Sequence, residues 1–190
     1  MHSSNQVLSG PIPAALAHLA PDNRYNEWIV NVRALKHGLG QSFRVLVFLG
    51  PISPDPTTWS REPNCVGRVS VLGRRIDTPC AKCRRDQAGA LLVSGTVSLT
   101  AALLQDVAAG RLRSLDPADV VPHLRAHLAW RVTLFSGEER AAADVPGLKV
   151  GVSSTKVAIG SDGVPVYSGE YVQHVEVTEG LAGGLGPADA

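Results

Sequence analysis

Apolar residues recur at every second position in short runs along this chain, and that period constrains the fold more than any other feature. Between Tyr25 and Ala34, Trp28, Val30, Val32 and Ala34 share one face, with Glu27, Asn31 and Arg33 on the other. This is the pattern of a half-buried strand. Ser42–Gly50 (SFRVLVFLG) is apolar almost throughout and reads as a strand central in its sheet. Lys36–Gly40 supplies a turn, so the two runs are expected to form a hairpin. Pro51, Pro54 and Pro56 then impose an irregular loop, because proline brings no N–H to a ladder. Val66–Leu72 is a short third strand, and Ala90–Leu99 alternates again. Trp130–Phe135, Leu148–Ser153, Lys156–Ile159 and Val164–Val177 read as further strands, with turns at Gly160–Gly163 and Ser168–Gly169.

Helical signals are few. Thr100 is placed to cap a helix running to about Ala109, with Gly110 at its C-terminal end. Asp116-Pro117 has the form of a second helix start, and Pro122 is expected to divide or kink it. Gly73–Gly89 carries charge, Pro79 and two cysteines, and reads as a loop. The sum is seven or eight strands and two short helical inserts, joined by loops and hairpins. That makes the chain mostly β, an antiparallel β-sandwich. Residues 1–24 are rich in Pro, Ala and Ser and are expected to be a flexible tail, with one short helical turn at Ala14–Leu19. The domain spans 25–180, and 181–190 is expected to be a disordered tail.

With 44% hydrophobic and 18% charged residues, the chain has the composition of a folded domain. A net charge of +1 gives no basic field for nucleic acid, and no run approaches the roughly 18 apolar residues of a membrane span. Pro11 and Pro13 interrupt what would be the apolar core of a secretory signal. The three cysteines, an odd number, argue against a disulfide scaffold and for a cytoplasmic protein.

All three cysteines fall in one stretch, Trp59–Cys83. Cys80-Ala-Lys-Cys83 offers two thiolates that could bite one soft ion, Cu(I) or Zn(II), or oxidise to a tight disulfide. Lys82, Arg84 and Arg85 favour the thiolate form. A structural zinc site needs two more ligands; Cys65 is the candidate third, and there is no second CxxC. The bland alternative is a pair of idle surface thiols. Of the six histidines, only His123 and His127 have helical i, i+4 spacing, and they read best as one face of an amphipathic helix. His37 falls in a turn and is expected to be solvated. Trp28, Trp59 and Trp130 read as core or loop anchors. There is no phosphate-binding glycine loop, serine elbow or acid/base pair.

Taken in order, several motifs resemble the C-terminal domain of fungal tyrosinases. They are Tyr25-Asn-Glu-Trp28-Ile-Val-Asn31-Val, then Ser42-Phe43 with Val45–Gly50, then Trp59, Pro63-Asn64 and Val66-Gly67. The CxxC at Cys80 and Cys83 follows, then Val93–Thr100, Leu112–Leu115, Asp119-Val120 with Pro122, Trp130-Arg-Val132 and Val164-Pro-Val-Tyr167. The resemblance covers roughly Tyr25 to Gly180. It implies a β-sandwich that caps a dicopper site and keeps a proenzyme latent until proteolysis. A residue on a loop would occupy the substrate's position, and the CxxC would deliver copper. Carried over, Cys80 and Cys83 become the pair that handles transient Cu(I), and the placeholder falls within Val69–Ile76. That stretch has no Phe or Tyr, which leaves Leu72 as the candidate.

The same resemblance implies that a type-3 dicopper centre needs six histidines on a helical bundle. Six histidines scattered over strands, turns and tail cannot build it. The chain is therefore expected to be no enzyme on its own and to have no resident cofactor. Its expected partner is a tyrosinase catalytic domain, in cis as part of a longer gene product or in trans. Two other readings stay open. One is a β-sandwich interaction or carbohydrate-binding module with Trp59 as a stacking platform. The other is a small redox protein using Cys80 and Cys83, which calls for the first cysteine at a helix N-terminus; no such helix is expected after Cys80.

Overall fold

The first two strands, β1 (Arg24–Leu35) and β2 (Phe43–Leu49), do not pair with each other. The computed structural model describes residues 20–75 and 77–189. In it the remaining strands are β3 (Cys65–Val71), β4 (Leu92–Ser98), β5 (Leu128–Leu134), β6 (Glu139–Arg140), β7 (Lys149–Ile159) and β8 (Pro165–Gln173). They form two antiparallel four-stranded sheets, ordered β4-β1-β7-β8 and β3-β2-β5-β6. The eight-stranded antiparallel sandwich matches the expected class, and the expected β1–β2 hairpin is corrected. Residues 36–42 instead cross from one sheet to the other, a gap of about 10 Å. The reason is burial. Trp28, Val30, Val32 and Ala34 need an apolar layer facing them, and β2 supplies Phe43, Val45 and Val47 from the opposite sheet.

β2 is buried on both sides. Its other face carries Leu46 and Phe48, which the proline-rich loop after it covers with Trp59 and Ile52, and the start of β3 with Cys65. Trp59 meets Phe48 edge-on at 6.2 Å between ring centroids. Where the free margins of the sheets close, β3 faces β4 with almost no space between them. A Cβ on Gly67 would stand 2.4 Å from Val97 Cγ1, and one on Gly95 would stand 2.6 Å from Val69 Cγ1.

Of the helices, those after β4 and before β5 close other parts of the core, while the first lies outside it. α1 (Ala81–Ala88) is a correction, since Gly73–Gly89 reads as a loop in the sequence. α2 (Thr100–Ala108) follows β4, with Leu99 rather than Thr100 at the cap position. The Thr100 hydroxyl accepts the Trp28 amide at 2.9 Å instead. α3 (Pro117–His127) starts as expected after Asp116 but runs through Pro122 as one helix. The Trp28 indole N–H reaches the Leu115 carbonyl at 2.9 Å, which ties β1 to the segment leading into α3. Between the two helices, Asp106 accepts from Arg111 Nε at 2.9 Å and lies 2.8 Å from His123 Nε2.

The C-terminal third departs from expectation in three places. Leu148–Ser153 and Lys156–Ile159 are one strand, β7. Ser168–Gly169 is not a turn between strands. It is the extra material of a bulge in β8, where Gly169 takes φ +80° and the register against β7 shifts between Thr155 and Val157. Beyond His174 the chain forms a short helix, α4 (Val175–Thr178), rather than continuing as strand. The segment after Gly180, expected to be disordered, is tied down along β7. Leu185 donates to the Val150 carbonyl at 2.7 Å, and Lys149 pairs with Asp189 at 2.9 Å. The helical turn expected at Ala14–Leu19 lies outside the described residues. Pro21–Asn23 is a kinked turn entering β1, with Asp22 and Asn23 both at φ +57°.

Alanine at Gly67 or Gly95 overfills the seam between the sheets and is expected to lower stability by about 1–3 kcal/mol in urea unfolding. An unchanged midpoint in both variants would contradict the packing described. Burial alone would raise the Asp106 carboxyl, but the Arg111 and His123 hydrogen bonds prevail and hold it below the usual carboxylate range. Its stabilisation is then complete above the ordinary aspartate pKa of about 3.9 and lost as pH falls through the depressed value. Unfolding measured from pH 7 to pH 3 is expected to show a smaller loss of stability in Asp106→Asn than in the parent chain.

Candidate functional site

β3 ends at Val71, and the next residue, Leu72, is 65% exposed. Its loop is held against the 36–42 crossover by close backbone contact. A Cβ on Gly73 would meet the Gln41 carbonyl oxygen at 2.4 Å, so only glycine fits. The Ser42 hydroxyl donates to the Gly73 carbonyl at 3.3 Å, and the Arg74 amide donates to His37 Nδ1 at 2.9 Å. His37, expected to be solvated, is thus part of the frame. Its Nε2 is buried and has no partner among the described residues.

The chain then enters α1, and the sulfur of Cys80 is its cap. Cys80 Sγ accepts the Cys83 amide at 3.3 Å and lies 2.6 Å from Cys83 Sγ. Arg84 donates to the Thr78 and Pro79 carbonyls, at 3.1 and 2.9 Å. Gln87 Nε2 donates back to the carbonyls of Arg74 and Arg75, at 3.2 and 2.8 Å. Asp86 pairs with Lys36 at 2.8 Å and with Lys82 at 3.3 Å. None of the α1 residues is buried, so caps, carbonyl contacts and ion pairs hold this helix rather than an apolar face. The expectation that no helix follows Cys80 is therefore corrected.

The thiols are electrostatically unequal. Hydrogen bonds from the Cys83 thiol and then its amide, with the Arg74 charge nearby, hold Cys80 below the usual thiol range. Cys83 is pushed up, first because its proton is the one donated to Cys80 and then by desolvation. Cys65 is pushed up by burial. It starts the strand that Val71 ends, which places it about 20 Å from the CxxC end by strand rise. No group of three or more His, Cys, Asp or Glu side chains is set for a metal among the described residues. Cys65 is not gathered with Cys80 and Cys83 among the described residues. The donor set is two soft sulfurs, Cys80 exposed and Cys83 half-buried, which suits transient two-coordinate Cu(I) and not structural zinc. Two sulfurs on opposite sides of a two-coordinate ion, with bonds of about 2.3 Å, stand up to about 4.6 Å apart. A bound ion would need one thiol to swing outward, which its exposure allows.

Other candidates go elsewhere. His123 is engaged by Asp106, and its ring lies 4.7 Å from that of His127, as expected for one helix face. Trp59 is 2% exposed and donates to the Ser53 carbonyl at 2.7 Å, so it is no stacking platform. Sequence reasoning missed a ring of apolar side chains around the same crossover. Leu91, Leu92 and Phe135 are 40%, 47% and 44% exposed. They are fixed there by Lys36 N–H to the Leu91 carbonyl, by the Leu35–Leu92 pair, and by Phe135 N–H to the Ser42 carbonyl. With Leu72 they place exposed apolar surface along the crossover to which Asp86 of α1 is also tied through Lys36. The inequality of the thiols sets their reactivity. Iodoacetamide is expected to label Cys80 well before Cys65, with the Cys80 rate inflecting below the ordinary thiol pKa of about 8.5 and that of Cys65 above it. Equal rates followed by peptide mapping would refute that order.

The family model for the tyrosinase C-terminal domain matches residues 27–152. A tyrosinase of Neurospora crassa is 61% identical over 180 residues, which cover 95% of this chain and 26% of that protein. A tyrosinase of Podospora anserina is 57% identical over 109 residues, 55% of this chain and 19% of that protein. The chain thus spans about a quarter or less of the relatives it matches. Among solved structures, a recombinant mushroom tyrosinase superposes with a TM-score of 0.57 at 16% identity, over 81% of this chain and 25% of that one. A structure of coexisting latent and active mushroom tyrosinase gives 0.57 at 19%, over 83% and 27%. At those identities the superpositions establish the fold alone, an eight-stranded sandwich shared with part of a larger protein. With two thirds of its length matched by the family model, the chain belongs to the tyrosinase C-terminal domain family.

Proposed function

We propose that this chain is a non-catalytic regulatory cap for a tyrosinase-type copper oxidase, acting on a catalytic domain in cis or in trans. In this reading Leu72 projects into the mouth of the partner's active site as the placeholder. Leu91, Leu92 and Phe135 seat the surrounding rim. Cys80 and Cys83 carry Cu(I) as cargo to the same mouth. The observation that carries the proposal is the convergence of Leu72, the two thiols and the exposed apolar side chains on one crossover.

The chemistry of each part fits its role. Leu72 is large enough to fill a phenol-sized slot but has no hydroxyl to oxidise. Burying its side chain is worth about 1.5–3 kcal/mol, a contribution that proteolysis of a connecting segment could outweigh. Two sulfurs without further ligands hold a soft ion loosely enough to release it to a site with more donors. The reading is of a non-catalytic role, supported by three of the described histidines being engaged in the fold itself. His37 accepts the Arg74 amide, His123 pairs with Asp106, and His174 stacks on Trp28 and reaches the Ser154 hydroxyl.

Added to a tyrosinase catalytic domain produced without its own C-terminal segment, the chain is expected to suppress catechol oxidation. Leu72→Asp is expected to relieve that suppression at least tenfold in inhibitor concentration, since a charge must be desolvated in the slot. Undiminished inhibition by this variant would remove Leu72 from the role. The reduced chain is also expected to bind Cu(I) in competition with a chromogenic chelator, and the Cys80→Ala/Cys83→Ala double variant to lose that binding. Unchanged stoichiometry in the double variant would remove the copper role. Any catechol oxidation by the copper-loaded chain alone would show that it is not merely a cap.

A further inference from the structure

We propose that Cys80 and Cys83 form a reversible dithiol–disulfide couple driven by an anionic low-molecular-weight disulfide, so that the chain accepts copper only when reduced. The inference rests on the copper-handling reading of the same pair and adds a redox gate to it.

Three features of the geometry carry it. The two sulfurs already stand 2.6 Å apart, nearer to an S–S bond of about 2.05 Å than to the separation of two ligands on one ion. Cys80 is exposed and Cys83 half-buried, so an incoming disulfide meets Cys80 first. Cys80 also sits at the N-terminus of α1 with the Cys83 amide on its sulfur, the position of the attacking thiol in dithiol redox centres. The rim selects the charge of the oxidant. Asp77 is taken by Arg75, and Asp86 by Lys36 and Lys82, while Arg74 and Arg84 stand exposed, Arg74 near enough for its charge to act on both sulfurs and Arg84 anchored on the Pro79 carbonyl next to Cys80. Carboxylates on a small disulfide complement these cations.

The exchange balances in two steps. The sulfur of Cys80 attacks one sulfur of the small disulfide. A bond forms from Cys80 Sγ to that sulfur, the disulfide breaks, and one thiolate leaves and takes up the proton given up by Cys80. The sulfur of Cys83 then attacks Cys80 Sγ, the intramolecular S–S bond forms, and the second small thiolate leaves with the proton of Cys83. The protein dithiol is oxidised by two electrons and the small disulfide is reduced to two thiols. The closed pair has no thiolate left for Cu(I). Cys65 takes no part, because it lies at the far end of β3 under Trp59.

The test equilibrates the intact chain in buffers of graded reduced-to-oxidised glutathione ratio, alkylates free thiols after acid quench and unfolding, and maps the labelled peptides. Cys80 and Cys83 are expected to lose label together as the ratio falls, with Cys65 labelled throughout and full reversal by dithiothreitol. In Cys83→Ser a glutathione adduct is expected to accumulate on Cys80. Cys80 and Cys83 labelled at every ratio, or an adduct on Cys80 that never closes in the parent chain, would overturn the couple. Cu(I) binding is measured on the same samples and is expected to fall in step with closure. Reduced chain that binds Cu(I) but never closes sinks the redox gate and leaves the copper reading intact. Closure without Cu(I) binding by the reduced chain sinks the copper-gating proposal and the copper reading together, leaving only the thiol exchange.

Discussion

The site depends on one constraint: the chain must cross from one sheet to the other between Leu35 and Phe43. A crossover at the end of a sandwich leaves backbone groups that neither sheet satisfies, and such groups must find partners or water. Here they find the loop after β3. Gly73 presses on the Gln41 carbonyl, Ser42 donates to Gly73, and the His37 ring takes the Arg74 amide. Lys36, the first residue of the crossover, reaches Asp86 on α1. A segment with no apolar face of its own is thus fixed in place by the topology beside it. Leu72 is presented at a defined position because its neighbour on one side ends a strand and its neighbour on the other cannot carry a Cβ.

Much of the sandwich was legible because a strand with one buried face writes its period into the sequence. Trp28, Val30, Val32 and Ala34 could belong only to such a strand, and the unbroken apolar run of β2 matches its burial on both sides. Which strands pair was not legible. The turn residues Lys36–Gly40 serve a crossover as well as a hairpin, and the choice between them is made by distant partners, β4 and β7 for β1 and β3 and β5 for β2. The glycine in Ser168-Gly169 likewise suits a turn or a bulge, and register against β7 decides it.

The site divides along the same line. The CxxC was visible as a spacing, and Leu72 was reached only through the family resemblance. α1 was invisible because helix reading relies on an apolar stripe, and Ala81–Ala88 buries none of its residues. Its signals were weaker. A cysteine follows Pro79, neither Pro nor Gly occurs through Ala88, and Lys82 and Asp86 stand four apart. Leu91 and Leu92 read as strand residues, and nothing local marks Leu92 as exposed. Its place at an outer strand of the sheet, beside Leu35, is a property of the assembled fold.

These contacts also link the chemistry of the sulfurs to the position of the tip. α1 is held at three points: the cap on Cys80, the Lys36 and Lys82 pairs at Asp86, and the Gln87 bonds to Arg74 and Arg75. The last of these bonds lie within three residues of Leu72. A bond to Cys80 Sγ, whether from sulfur or from a metal, alters the acceptor that the Cys83 amide relies on and so acts on the first turn of the helix. The helix has no buried face, and Gln87 ties it to the loop carrying Leu72. Gly73 and His37 hold that loop from the crossover side. Leu72 and the two thiols are therefore parts of one mechanical unit between β3 and β4.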